Sequence, residues 1–359
     1  MNLIELSVSV AGLAGSFKKE VARRRDNSLR KAITKNLFVK QYEETEGEIV
    51  DNLAPVFQDQ IKDIHKRLLE TEVKNFGHQA HDLASLVFDP QEWNEKVIDK
   101  TLPILALNMV RAGVAAILTF GIDVRKSSIF NTKQTGSEWF EDEAGDFEDL
   151  TGTLGGTSAG TAANTAFMHS APPWMKAAVI RELRSSFDQV YWESISITTQ
   201  GDAEKILEKG LSEHWSIRKM AQEMMGSLGG NDYAKMRATK IARTEAGNSL
   251  NGMRKESLDH LQAELGAVIP MQIIWLSILS DATRDEHAAL DGVPADSEGM
   301  WTLTGVKIPW PGHYTLPPEM RVNCMCTIVS EIGMTDEEAR ILIDEHEAAI
   351  AQINAEGEE

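Results

Sequence analysis

The apolar residues of this chain change period near residue 270, and that change constrains the fold more than any other feature. Asp232 opens the longest helical repeat, which runs to Leu265 and is stopped by Gly266. Pro270 then breaks the chain, and the run from Gln272 to Leu279 reads as a buried strand. The segments before the break are helical in pattern and those after it are mixed. The expected class is therefore α+β, with a helical N-terminal region followed by a mixed, mostly helical C-terminal domain carrying a small sheet. Gly247 and Gly252 fall inside the long repeat and predict a bend there.

From Phe17 to about Phe120 the spacing is helical, with Val56, Ile61, Ile64, Leu68 and Leu69 forming one stripe. Asp89-Pro90 reads as a helix start, because Asp accepts from the first free amides and Pro suits the first helical position. Pro172-Pro173 opens a second helical stretch, which Trp192 and the run Ile195 to Thr199 are expected to end. Shorter helices follow from Ala203 to Lys209 and from Ser216 to Met225, where Met220, Met224 and Met225 read as core filler. Beyond the strand, Ser280 or Asp281 is expected to cap a short helix bearing Arg284 and His287. A loop-rich excursion from Val293 to Pro318, a strand from Cys324 to Val329 and a last helix from about Asp336 to Asn354 complete the reading.

With 359 residues the chain exceeds what one core usually serves, so composition is used to divide it. An acidic run from Glu138 to Asp149 leads into a Gly/Thr/Ala-rich stretch ending near Gly160, a solvated connection lacking the ligand pattern of a calcium loop. The divisions are a helical N-terminal domain at 1–135, this linker at 136–170, a helical segment at 171–231, a mixed domain at 232–335 and a C-terminal helix at 336–359.

A formal net charge of -19 disfavours generic binding to DNA or anionic lipid. The basic block Lys18 to Lys35 is the exception, a candidate DNA contact or a solvated helix face. Leu102 to Ile122 is apolar enough to suggest a membrane span, but Arg111 at its centre favours a buried helix and no membrane partner. Two cysteines separated by one residue cannot close a normal disulfide with each other, which fits a reducing cytoplasm.

Three constellations bear on chemistry. Arg284, His287 and Asp291 recur at helical intervals, which places an imidazole beside a cation and a carboxylate. Cys324-x-Cys326 with His287, and with His313 on the intervening loop, supplies the donors of a tetrahedral zinc site; the alternative is a pair of reduced core cysteines. Arg243-Thr244-Glu245 lies within the long helix, and Arg243 is expected either on the surface or in a buried ion pair with Asp281 or Asp285. The chain contains no GxxxxGK[ST], GxGxxG after a strand or HExxH, so the common nucleotide and metalloprotease signatures are missing.

Taken in order and spacing, Arg243-Thr244-Glu245, Trp275, Asp281, Arg284, His287, Asp291-Gly292 and Asn323-Cys324-Met325-Cys326 resemble the Mu F-like minor head protein domain of tailed bacteriophages, over about residues 232–331. Met325 stands where that family typically has Arg, a departure that leaves the spacing intact. The resemblance implies a minor capsid protein active in head morphogenesis and not an enzyme. It implies association with the portal protein and with capsid or scaffold proteins, in the host cytoplasm during assembly and then in the virion, with ejection beside the DNA in some members. The competing expectation is a metal-dependent or nucleotide-modifying enzyme centred on His287, Asp291, Cys324 and Cys326.

Overall fold

The computed structural model describes residues 27–70, 80–119, 167–168, 171–186, 189–265, 271–278 and 283–332. The basic residues up to Arg25, the acidic run, the glycine-rich stretch, Gly266, Pro270, Asp281 and the expected C-terminal helix lie outside these residues. In order, the elements are α1 (Asn27–Glu70), α2 (Ala80–Val87), α3 (Pro90–Thr119), α4 (Pro173–Ser186), α5 (Gln189–Ser212), α6 (Ile217–Ser227) and α7 (Asn231–Leu265). They continue with β1 (Met271–Leu276), α8 (Asp285–Ala288), β2 (Trp301–Leu303), β3 (Val306–Ile308), α9 (Pro318–Arg321) and β4 (Thr327–Ile332). The fold is α+β and dominated by helix, with two small sheets in the C-terminal part.

Local chemistry sets several boundaries. Asp89 Oδ1 accepts from the amides of Gln91 and Glu92, so α3 begins at Pro90. Ser216 accepts from the amide of Lys219 and caps α6 in the same way. Two expectations of interruption fail. The run Ile195 to Thr199 does not end a helix but lies inside α5, because Ile195 and Thr199, one turn apart, are both buried. Packing there outweighs the few tenths of a kcal/mol that β-branched residues cost a helix, roughly 0.5 each. Gly247 and Gly252 do not interrupt α7 either. They are places of close approach: a Cβ at Gly247 would lie 2.8 Å from the Cys324 carbonyl oxygen, and one at Gly252 would lie 3.2 Å from the Trp310 ring.

The long helix α7 packs along α1 and α3, which also pack on each other. One hydrophobic cluster draws Leu53 and Phe57 from α1, Ile104 and Val110 from α3, Met253 and Leu261 from α7, and Trp275, Trp301 and Ile328 from the sheets. A second joins Ile61, Ile64 and Leu68 of α1 to Leu83 of α2, Leu207 of α5 and Met220 and Met224 of α6. Thus α1 runs through both clusters, and Leu69, at the edge of its apolar stripe, is exposed. Of the apolar window of α3, 72% is buried inside the fold, although by length and composition alone that helix could cross a membrane. Arg111 is accommodated at its flank, donating to Asn108 Oδ1 at 3.0 Å and lying 3.6 Å from Glu48 of α1.

β1 and β4 pair antiparallel, with Trp275 opposite Ile328. On the other edge of β1 the Trp275 amide donates to the Val293 carbonyl at 3.0 Å, and the Ala295 amide donates to the Ile273 carbonyl at 2.9 Å. The supposed loop excursion after Val293 contains the hairpin β2–β3, turned by Thr304 and Gly305, both at positive φ. A two-residue turn of that hand matches strand twist.

Candidate functional site

Three separated stretches meet beneath the β1–β4 pair. The end of β1 contributes Trp275 and Ser277, α8 contributes His287, and the turn before β4 contributes Cys324 and Cys326. Two backbone positions make the meeting possible. Gly292, at φ +78, lets the chain leave α8 and return its amide to the Trp275 carbonyl at 2.9 Å. Asn323, at φ +58, takes the left-handed conformation that asparagine tolerates, where the chain turns between α9 and β4. The cysteines therefore precede the strand in which they were expected, and they converge through the turn.

His287 Nδ1 lies 3.4 Å from Cys324 Sγ and 3.5 Å from Cys326 Sγ. All three residues are buried, and their ligand atoms fall within 4.8 Å of one another, a donor set that can hold a metal ion. Ser277 ties the node together: its hydroxyl accepts from Trp275 Nε1 at 3.1 Å and donates to the His287 carbonyl at 2.7 Å. Its amide donates to Asp291 Oδ1 at 2.7 Å, and Cys326 Sγ lies 3.7 Å from its hydroxyl. The Trp275 ring packs edge-on against both His287 and Trp301. The hydrogen bond from the Cys324 thiol holds Cys326 below the usual thiol range, with His287 and Ser277 acting in the same direction against burial. That same hydrogen bond, then burial, pushes Cys324 well up, so the pair shares one proton.

The remaining predicted residues take other places. Arg284 is the N-cap of α8, and its guanidinium donates to the Val322 carbonyl at 2.8 Å; Ser280 and Asp281, the expected caps, lie outside the described residues. Asp291 is committed to the Ser277 amide and does not orient the imidazole. Arg243 pairs with Glu46 of α1 at 2.9 Å, not with Asp285, and its carbonyl accepts from the Tyr42 hydroxyl at 3.0 Å. Thr244 and Glu245 are buried, and the Thr244 hydroxyl returns to the Lys240 carbonyl. His313 is not a fourth ligand. It lies against Trp310 with Nδ1 2.8 Å from the Thr315 hydroxyl, and burial, with Arg321 adding, pushes it down to about 4. In the basic block, Lys31 pairs with Glu331 of β4 at 2.8 Å.

Two site residues escaped the sequence reading. Ser277 gave no signal beyond lying two residues after Trp275 in an apolar run. Asn251 is fully buried on α7 and donates to the carbonyls of Pro311 and Cys326, while its own oxygen accepts from Thr327. Its position one helical turn after Gly247, on the face that meets the cysteine turn, is a signal a helical plot would have carried. Comparison of the chain with protein-family models, with curated proteins and with solved structures finds no match in any of the three.

Proposed function

We propose that this chain is a minor capsid and head morphogenesis protein of a tailed bacteriophage or prophage, joining the procapsid through the portal protein beside capsid or scaffold proteins. The observation that supports the reading is the convergence of the residues that carry the resemblance: Trp275, His287, Cys324 and Cys326 are buried in one node, Asp291 reaches its rim from an exposed position, and Gly292 and Asn323 shape its turns. A node that uses its polar groups to hold strands, turns and α8 together suits a structural protein. A reaction centre on the same residues is less well served, since Asp291 is committed to a backbone amide and the histidine and both cysteines are buried. Zinc at His287, Cys324 and Cys326 belongs to this reading as a structural ion. The N-terminal basic segment is the candidate contact for DNA, and the acidic body suits packing near DNA without adhering to it. Quantitative mass spectrometry of procapsids and mature particles tests the proposal. A few copies per particle that vanish when the portal is omitted would support it, and absence from both particle types would overturn it.

A further inference from the structure

We propose that the His287, Cys324 and Cys326 side chains bind a zinc-class divalent cation whose capture completes the folding of the β1–α8–β4 unit. The inference rests on the reading of the node as structural. Its first support is metric. Zinc–sulfur bonds of about 2.3 Å and zinc–nitrogen bonds of about 2.0–2.1 Å at a tetrahedral angle separate sulfur from nitrogen by about 3.6 Å. The two separations here, from a single ring nitrogen to two sulfurs, are 3.4 and 3.5 Å. Both separations fall close to that value, and all three donor atoms lie within 4.8 Å of one another.

The second support is the other side of the ring. Among the described residues, His287 Nε2 is buried and has no hydrogen-bond partner, so no described neighbour fixes which ring nitrogen carries the proton. A cation on Nδ1 would fix it, leaving the proton on Nε2. The third is the donor chemistry. Two thiolates and a neutral imidazole balance a divalent charge, and sulfur and imidazole donors select zinc over calcium or magnesium. Ser277 is committed to Trp275 and His287, so His287, Cys324 and Cys326 are the three protein donors.

The donors also come from distant parts of the chain, which the Arg284–Val322 hydrogen bond already brings together. His287 lies on a short helix and the cysteines lie in a turn, separated by 37 and 39 positions in sequence. An ion bound to both in the folded state, and without a preformed site in the unfolded one, adds its binding free energy to folding.

The test uses the full chain, purified under reducing conditions from zinc-supplemented medium. About one zinc per chain is expected by elemental mass spectrometry, released in step with modification of the two thiols by a mercurial. Cobalt(II) replacement of the ion should give a thiolate charge-transfer band and the intense visible bands of a tetrahedral site. Cys326→Ala should lose the charge-transfer intensity in part and bind zinc at least tenfold more weakly. If a variant does not fold, the cobalt spectrum of the unaltered chain still decides. A folded chain with both thiols reduced, less than about a tenth of an equivalent of zinc and no thiolate–cobalt band would overturn the site. That outcome would leave the particle-composition test of the portal-associated role untouched, so the two failures are distinguishable.

Discussion

Gly47 and Gly247 both lie inside long helices, yet their surroundings oppose each other. Nothing lies within 4 Å of a Cβ built on Gly47 of α1, whereas one on Gly247 of α7 would press on the Cys324 carbonyl oxygen at 2.8 Å. Gly47→Ala should therefore raise stability by about 0.4–1 kcal/mol, through the smaller entropy of the unfolded chain and better helix propensity. Gly247→Ala should lower it by about 1–3 kcal/mol, because α7 must move off the cysteine turn or the turn must deform. Urea unfolding of both variants measures the contrast, and equal midpoints would remove Gly247 as a contact point. A glycine in a helical repeat signals a bend or a close approach, and only the neighbour tells which. That neighbour lies far along the chain from Gly247, so its identity could not be read locally, although the cysteines and His287 themselves were found from spacing and residue type.

Among elements, α7 is held to the C-terminal sheet by a buried polar clamp and to α1 by a surface ion pair, and the two should contribute very differently. Asn251 meets the Pro311 carbonyl at 3.1 Å, the Cys326 carbonyl at 2.8 Å and the Thr327 hydroxyl at 2.8 Å, all buried. Asn251→Leu strands these partners without water and should cost roughly 2–4 kcal/mol, since several buried polar groups lose their only described partner at once. Arg243→Ala breaks a pair whose arginine is 47% exposed and should cost less than about 1 kcal/mol. Denaturant midpoints that ranked these the other way would show that the α1–α7 contact, not the α7–sheet contact, limits stability. The elements themselves were readable wherever capping chemistry was local, as at Asp89 and Ser216. They were misread where burial overrode propensity, as in α5, and where Thr304-Gly305 hid a hairpin within a glycine- and proline-rich stretch.

Across the whole molecule, the parts before and after the unassigned linker share one hydrophobic cluster, and a buried carboxyl makes their joining sensitive to pH. Glu182 of α4 faces the point where α7 meets the Trp310 loop: its Oε2 lies 3.4 Å from the Cβ position of Gly252, and the Trp310 ring lies 3.2 Å from it. Burial, with the nearby Glu256 adding and Arg181 opposing, pushes Glu182 up to about 7 from its ordinary 4.5. Below about 4.5 the group is protonated in both the folded and the unfolded chain and contributes no slope. Between 4.5 and about 7 the unfolded chain ionises while the folded one keeps its proton, so folding takes up a proton and stability falls as pH rises. Above 7 both are ionised and the cost of the buried charge is carried in full, on the order of 3 kcal/mol. Glu182→Gln removes this contribution. Its urea midpoint should match that of the unaltered chain near pH 4 and exceed it near pH 8, the difference opening across the interval from 4.5 to 7. Other carboxylates, such as Glu92 with its lowered value, act in the opposite direction, so the difference between the two proteins is the quantity to follow. Parallel curves for the two would mean that Glu182 ionises as freely in the folded chain as in the unfolded one, and that the packing of α4 against α7 and the Trp310 loop is open to water.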